Sequence, residues 1–437
     1  MSDARPADPR ALAQTVQAAL LRGALDEAER LAGALEAIAP DDPNTALLAG
    51  VIAYRRDRLA AAVPLLERAT RLAPGAAQAW HWLGNAHRRQ GTHAAACGCY
   101  RRVLDLAPRH ADAAYNLAWS AKTHGDDDVA GAAFVRLGRL EPTGPEPLQQ
   151  TVDAAARLAR AGCEPPPAPA LPGSASALPL VSFVICSITP ARLEALRANL
   201  TERMAGHAWQ LVPITDARSL CEGYSRGLAL ARGDRLVFCH DDIEILDEDF
   251  AQRLHAALDG ADVVGVHGAT RLHGPTVTSA GLGHMHGWVT HLDPQGDFLP
   301  GIAGPAGPRV DGAVCLDGVF IAVHRNTVER IGFDADTFDG FHLYDLDFSY
   351  RAHLAGLRVR IQCDLRLVHA SRGNFDTAFA QYADRFLAKF PALAATPLPA
   401  PAPFFQTRLA TREELRRFHG WIGHWLRECP VAVSAGV

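Results

Sequence analysis

The feature that most restricts the fold of this chain is a period of 34 residues in its first third. Prolines mark the period at Pro40, Pro74, Pro108 and Pro142. Small residues recur in the same frame, at Ala28, Ala62, Ala96 and Ala130 and at Gly50, Gly84 and Ala118. Small residues let antiparallel helices approach closely, and a proline ends the second helix of each unit. The period therefore predicts stacked helix pairs, an architecture that needs about three units for stability.

Residues 77–110 carry the clearest copy of this repeat, and it resembles a tetratricopeptide repeat. The matching positions are Trp80, Leu83, Gly84, Gly91, Ala96, Tyr100 and Pro108. We predict four repeats at about 9–42, 43–76, 77–110 and 111–144, with a capping helix at 146–161. These make residues 1–162 an all-α solenoid. Because solenoids present extended binding surfaces, we expect a protein partner or the acceptor of a reaction on the repeat face.

The texture of the sequence changes after this region. Residues 163–179 form a linker rich in proline, alanine and serine. Strand and helix patterns then alternate over residues 180–395, which predicts an α/β domain with a largely parallel sheet. A helical tail at 396–437 carries Trp421 and Trp425 on one helix face. Docking of these tryptophans onto the α/β domain and contact with a membrane surface both remain open.

Composition and charge exclude several classes of protein. With 48% apolar and 21% charged residues, the chain can bury a sizeable core. Its 48 acidic and 43 basic side chains give a net charge of −5, which argues against non-specific nucleic-acid binding. No apolar run approaches the roughly 18 residues of a transmembrane segment, and the N-terminus does not resemble a secretion signal. We expect a cytoplasmic protein, with a peripheral position at the inner membrane face as a variant.

Polar residues follow the predicted strand at 235–239. In His240, Asp241 and Asp242, the first and third side chains share a face of extended chain and the second points away. Ligands of open α/β sheets bind beyond the carboxyl ends of the strands. An imidazole and a carboxylate at this edge could hold Mg²⁺ or Mn²⁺ against a diphosphate. The alternative is that the acids only solvate the strand end or cap the next helix.

Five ordered blocks over roughly residues 180–390 resemble the GT-A glycosyltransferases of the family-2 type. They read VSFVICSI, GYSRGLALARGDRLVFCHDDIEI, CLDGVFIAVHR, FDGFHLYDLDFSYRAHLAGLRV and LVHASRG. The likeness is to the bacterial branch for capsule or surface-polysaccharide synthesis, whose Asp-x-Asp metal motif reads His-Asp-Asp. It implies a metal-dependent, inverting glycosyltransferase of the hexosyltransferase type. Such an enzyme takes a nucleotide-sugar donor, Mn²⁺ or Mg²⁺, and a glycan, lipid-linked or protein acceptor.

The resemblance also implies roles for single residues. Asp242 would be the main metal ligand, with His240 in the place of the first motif aspartate and His369 completing the shell. The donor-binding residues would be Ser187, Asp216 and Asp241, although the Asp-Asp-Gly-Ser usual around Asp216 is absent. The acceptor-side residues would be Asp317 and Gly318.

The segment LYDLDFSYR corresponds to the Glu-Asp-x-Asp stretch of that family, in which the second acid is the general base. Here Tyr344 replaces the glutamate and Asp345 remains. Residues two apart do not share a helix face, and Asp347 has Arg351 one turn away as an ion-pair partner. We therefore assign Asp345 as the catalytic base.

Three other interpretations compete with this one. The stretch from Gly223 to Gly227 matches the Gly-x-Ser-x-Gly elbow of hydrolases, but Ser225 is predicted inside a capped helix rather than at a sharp turn. His284, His286 and His291 could indicate zinc, although a surface or acceptor-facing role is favoured. The third is a catalytically silent repeat scaffold, which the altered motifs at His240 and Asp216 keep open.

Overall fold

The computed structural model describes residues 8–142, 144–169, 178–304, 307–371, 373, 376–394 and 405–429. The chain forms two compact units, one that extends to Leu140 and one that runs from Glu141 to Cys429. Residues 170–177 of the predicted linker lie outside the described residues, as do residues 396–404 and 430–437 of the predicted tail. The domain boundaries expected from the sequence stay a prediction.

The first unit is helical, and its helices pair with the predicted period. They are α1 (Pro9–Leu21), α2 (Leu25–Ile38), α3 (Pro43–Arg55), α4 (Leu59–Leu72), α5 (Ala77–Arg89), α6 (His93–Leu106), α7 (Ala111–His124) and α8 (Asp127–Leu140). The recurring alanines at 28, 62, 96 and 130 are all fully buried. A Cβ added at Gly50 would lie 2.6 Å from Leu66 Cγ, and one at Gly84 would lie 2.8 Å from Tyr100 Cε1. The small residues therefore do allow the close approach of paired helices, as the sequence predicted.

The second unit contains the remaining described helices and all of the described strands. Its helices are α9 (Pro145–Arg160), α10 (Pro190–Arg203), α11 (Leu220–Leu230), α12 (Phe250–Asp259), α13 (Arg325–Ile331), α14 (Tyr344–Leu354), α15 (Thr377–Lys389), α16 (Pro391–Ala394) and α17 (Arg412–Glu428). Its strands are β1 (Val181–Cys186), β2 (Trp209–Ile214), β3 (Arg235–Cys239), β4 (Ile243–Ile245), β5 (Val263–Gly265), β6 (His267–Ala269), β7 (Met285–Leu292), β8 (Phe298–Ala303), β9 (Arg309–Asp311), β10 (Cys315–Leu316), β11 (Phe320–His324), β12 (Val359–Gln362), β13 (Leu367–His369) and β14 (Phe405–Gln406).

These strands form two sheets, and the first is mixed rather than largely parallel. Its order is β2-β1-β3-β11-β5-β12-β9. Strand β1 runs parallel to β2 and β3, whereas β11 is antiparallel to both β3 and β5. The α/β class is confirmed, but the expected strand directions are wrong at β11. The reason is that the described chain between β5 and β11 contains no crossover helix and instead forms strands, of which β6, β7 and β10 belong to a second sheet ordered β10-β6-β7-β13-β4.

The predicted capping helix forms as α9, and it lies in the second unit, where it packs against α17. Trp421 Nε1 donates a hydrogen bond to the carbonyl oxygen of Cys163 at 3.0 Å, and Trp425 is 1% exposed. Of the two alternatives for these tryptophans, the structure shows docking within the second unit. Among the described helices, none combines the length and apolar character needed to cross a membrane.

Candidate metal and acceptor site

Two chain segments bring His240, Asp242 and His369 together. The first two lie on the connection from β3 to β4, and His369 is the last residue of β13. Strand β13 pairs antiparallel with β4 and places His369 opposite Ile243. As a result, His240 Nδ1 lies 3.1 Å from His369 Nε2, which lies 3.3 Å from Asp242 Oδ1. Among the described residues, these three are the candidate group for holding a metal ion.

The spacing of these atoms fits a divalent cation. Two ligands bound at about 2.1 Å stand roughly 3.0 Å apart at a right angle and roughly 3.4 Å apart at a tetrahedral angle. The two measured separations, 3.1 and 3.3 Å, fall in that interval. Magnesium prefers oxygen ligands, so a set of two imidazoles and one carboxylate suits Mn²⁺ better.

The protonation states of the cluster also favour a cation. Burial lowers the pKa of His240, and the neighbouring His369 lowers it further, so the ring is held neutral. Burial acts to raise the pKa of Asp242, but its interactions with His369, Ser371 and His240 together outweigh this effect and keep the pKa well below its usual range. The Ser371 N–H donates to Asp242 Oδ2 at 3.0 Å and stabilises the same charge. Neutral imidazole and ionised carboxylate are the forms that bind metals.

A second acidic group lies where α14 begins. Asp345 Oδ2 accepts a hydrogen bond of 2.7 Å from the Gly318 N–H. Burial raises the pKa of Asp345 to about 7, and the negative charge of Asp317 adds to the effect. Burial also acts to raise the pKa of Asp317, but the nearby His267, whose Nδ1 lies 3.6 Å from Asp317 Oδ2, and the hydrogen bond from the Val319 N–H together lower it. The pKa values of the two carboxyl groups therefore differ: Asp317 is ionised, whereas Asp345 can exchange a proton near neutral pH.

A cavity of about 580 Å³ joins the two groups. Its polar lining includes His240, His369, Asp317 and Asp345, and its apolar lining includes Val277, Val289, Phe341 and Leu346. Gly318 also lines it, and a side chain there would collide with Tyr344, because an added Cβ would lie 2.1 Å from the phenol oxygen. One concave site therefore contains two of the predicted metal ligands, the predicted base and the predicted acceptor-side residues.

The predicted donor-binding residues divide into two groups. Ser187 Oγ donates a hydrogen bond of 2.7 Å to Asp241 Oδ2. Arg192 Nη1 lies 3.7 Å from Asp241 Oδ1 and 3.9 Å from Asp242 Oδ2, so these residues border the candidate metal group. Asp216, in contrast, is exposed beyond the end of β2 and pairs with Arg226 on the surface. The structure does not bring Asp216 into the cavity lining.

The two aspartates of α14 have the distinct surroundings expected from helix geometry. Asp347 is fully buried and accepts a hydrogen bond of 2.8 Å from Arg351 Nε. Its other oxygen lies 2.6 Å from Lys389 Nζ. The predicted pairing with Arg351 is confirmed, and Asp347 is occupied by structural ion pairs.

The competing motifs find ordinary structural roles. Ser225 lies in the middle of α11, and its hydroxyl donates to the carbonyl oxygen of Cys221 at 2.7 Å, so it does not sit on a nucleophile elbow. His284 Nδ1 lies 3.2 Å from Thr270 Oγ1, and His291 Nδ1 lies 3.2 Å from the carbonyl oxygen of Ser371. His286 is buried in β7. These three histidines are not brought together as one candidate metal group within the described chain.

Three residues at the site were not assigned a role from the sequence: Tyr344, His267 and Arg192. Tyr344 carried a signal, because it stands where a glutamate was expected. His267 and Arg192 carried none, since neither belongs to a motif and each meets its aspartate only through the fold.

Two known protein families match parts of the chain. Residues 182–390 match a family described as "Glycosyltransferase like family", and residues 77–110 match the tetratricopeptide repeat family. A crystal structure of MamA is 22% identical, covers 33% of this chain and 80% of that chain, and has a TM-score of 0.31. YrrB, described as a TPR protein with an unusual peptide-binding site, is 14% identical over 34% of this chain and 77% of its own, with a TM-score of 0.32. No curated protein shows a significant match. The chain thus combines a tetratricopeptide repeat with a glycosyltransferase-like domain at residues 182–390.

Proposed function

We propose that this protein is a metal-dependent, inverting hexosyltransferase that moves a sugar from a nucleotide-sugar donor to a glycan, lipid-linked or protein acceptor. The observation that carries the proposal is the convergence of His240, Asp242 and His369 at a cavity that also contains Asp345, within the glycosyltransferase-like domain.

In the proposed reaction, His240, Asp242 and His369 would hold Mn²⁺ or Mg²⁺, which would supply positive charge to stabilise the departing nucleoside diphosphate. Ser187, Asp241 and Arg192 border the cluster and contact the donor. Asp216, retained as a donor ligand from the resemblance, would need to leave its pairing with Arg226 to take part.

Asp345 acts on the acceptor. The acceptor hydroxyl attacks the anomeric carbon, its proton passes to the Asp345 carboxylate, and the bond from that carbon to the diphosphate oxygen breaks. Attack from the face opposite the leaving group inverts the configuration. A base with a pKa of about 7 suits this task, because it is partly ionised at neutral pH and still accepts a proton readily. Asp317 and Gly318 shape the acceptor side of the cavity.

The repeats supply a binding surface without chemistry of their own. We infer that they recruit the acceptor or a partner protein, since stacked helix pairs form extended concave faces.

The test is a panel of nucleotide sugars incubated with the full chain, with Mn²⁺, with Mg²⁺ or with a chelator. We expect metal-dependent release of nucleoside diphosphate from one donor and a product of inverted configuration. A silent scaffold would neither bind nor hydrolyse any donor, and that result would overturn the proposal.

A further inference from the structure

Tyr344 connects the metal cluster to the acceptor-side loop. Its phenol oxygen lies 3.2 Å from His240 Nε2 and 3.0 Å from the carbonyl oxygen of Gly318. The side chain is buried, and its ring packs against Tyr224 with 5.6 Å between the ring centroids. The phenol is therefore held in place and does not reach these partners by chance rotation.

The two contacts together determine where the protons lie. A carbonyl oxygen can only accept, so the single hydroxyl proton of Tyr344 is donated to Gly318. The phenol oxygen then has only lone pairs to offer His240, and the contact is a hydrogen bond only if His240 Nε2 carries the proton. Because a neutral imidazole has one N–H, His240 Nδ1 is left with its lone pair.

That lone pair belongs to the atom on the metal side of the ring. His240 Nδ1 is the nitrogen that lies 3.1 Å from His369 Nε2. His369 Nε2 in turn lies 3.3 Å from Asp242 Oδ1 and 3.2 Å from Ser371 Oγ. The backbone supports the same placement, because the His240 N–H donates to the Val319 carbonyl oxygen at 3.2 Å.

We propose that Tyr344 is a positioning residue that holds His240 as the Nε2–H tautomer and aims Nδ1 at the metal. This inference rests on the proposed metal site. Ligating histidines generally donate their second N–H to a fixed acceptor, and loss of that acceptor typically weakens metal binding by about 10- to 100-fold. Here the acceptor is a buried phenol rather than a carboxylate.

The experiment measures the affinity of the full chain for Mn²⁺ alone by titration calorimetry. Tyr344→Phe removes only the hydroxyl and keeps the ring that fills the buried space. We expect its Kd for Mn²⁺ to rise by about 10- to 100-fold. The matched control is Tyr382→Phe, which removes a hydroxyl elsewhere in the same unit. That hydroxyl donates a hydrogen bond of 2.9 Å to Asp339 Oδ1. The control should bind Mn²⁺ as the wild type does.

A double-mutant cycle separates positioning from a general structural effect. If Tyr344 acts through His240, then Tyr344→Phe should have no further effect on Mn²⁺ affinity in a His240→Ala background. Additive losses would overturn the inference, as would an unchanged Kd in Tyr344→Phe alone. If the wild type itself fails to bind Mn²⁺, the metal site and this inference both fall, whereas a normal wild type with an unaffected variant removes only the inference.

Discussion

At the scale of single residues, the different partners of Asp345 and Asp347 decide which of the two can act as a base. Both lie in the first turn of α14, yet Asp345 accepts a hydrogen bond from a backbone N–H at the cavity, whereas Asp347 pairs with two partly buried cations. A carboxylate committed to Arg351 and Lys389 cannot approach a substrate without breaking those ion pairs. Breaking a buried ion pair costs free energy, and this cost keeps the Asp347 carboxylate in place.

Asp345→Asn should reduce the transfer rate by about 10²- to 10⁴-fold, because an amide cannot accept the proton of the acceptor hydroxyl. Donor affinity, measured by calorimetry, should change little. The matched variant Asp347→Asn should keep most activity but lose about 1.5 to 3 kcal/mol of unfolding free energy, because its hydrogen bonds to charged partners weaken. An inactive Asp347 variant beside an active Asp345 variant would show that the base is assigned to the wrong residue.

The raised pKa of Asp345 predicts a pH profile. The pKa of Asp345 is about 7, so at lower pH its carboxyl is mostly protonated and cannot act as a base. The transfer rate should therefore rise as the pH increases through neutrality. Rates measured from about pH 5.5 to 8.5 with saturating donor and Mn²⁺ would show this limb. The limb should vanish in the residual activity of Asp345→Asn. A rate independent of pH in the wild type would contradict the prediction.

Asp242→Ala should abolish Mn²⁺-dependent donor binding, because it removes the carboxylate of the three-ligand cluster. The temperature of unfolding should stay close to that of the wild type, since the site borders an open cavity. Asp339→Ala is a suitable control, because it deletes an exposed carboxylate that pairs with Arg385 in the same domain. Calorimetry with and without Mn²⁺ decides the matter, and unchanged metal-dependent donor affinity in Asp242→Ala would exclude this ligand.

Strand ends made part of this site predictable. His240 and Asp242 follow β3 and His369 ends β13, which marks all three as residues at strand ends. The two strands belong to different sheets, however, and the residues meet because β4 pairs with β13, which the sequence did not predict. The contact of Tyr344 with His240 joins residues 104 positions apart and depends on the exact packing of α14, for which the sequence carries no local signal. Asp216 lies outside the cavity lining and pairs with Arg226 of α11 at the surface, so its role in donor binding stays a prediction.

At the scale of elements, the local sequence pattern predicted the helix pairs but not the directions of the strands. Helix pairs follow from a period and small residues, which act between neighbours in the chain. The direction of β11 depends on what the preceding 50 or so residues build, and they build a second sheet. The alternation of strand and helix patterns cannot predict that arrangement, because a connection made of strands can reverse the direction of the next strand without a helix.

The repeat glycines give a prediction at this scale. Gly84→Ala should destabilise the first unit by about 1 to 3 kcal/mol, because the new Cβ would press on the fully buried ring of Tyr100. Gly98→Ala, on the exposed face of α6, meets no atom within 4 Å and should stabilise the helix by up to about 1 kcal/mol. Thermal unfolding of both variants tests the contrast, and equal stabilities would contradict it.

At the scale of the whole molecule, the second unit begins before the glycosyltransferase-like match. Helix α9 packs on α17, and Glu164 forms ion pairs with Arg416 and Arg417. Removal of residues before 178 would therefore strip partners from α17 and uncover Trp421. A truncation that tests the repeats has to begin at Glu141, the first residue of the second unit.

A chain that begins at Glu141 should keep the donor-hydrolysis rate and the Mn²⁺ dependence of the full protein, because every residue of the cavity lining lies within it. It should lose transfer to the native acceptor if the repeats recruit that acceptor. The measurement is incorporation of labelled sugar into a cell extract, with donor hydrolysis followed in the same samples. A chain that begins at Leu178 serves as the comparison and should lose stability as well, because α17 then lacks α9. Full transfer by the Glu141 chain would show that the repeats do not recruit the acceptor, whereas loss of donor hydrolysis as well would show that the repeats act on the catalytic unit itself.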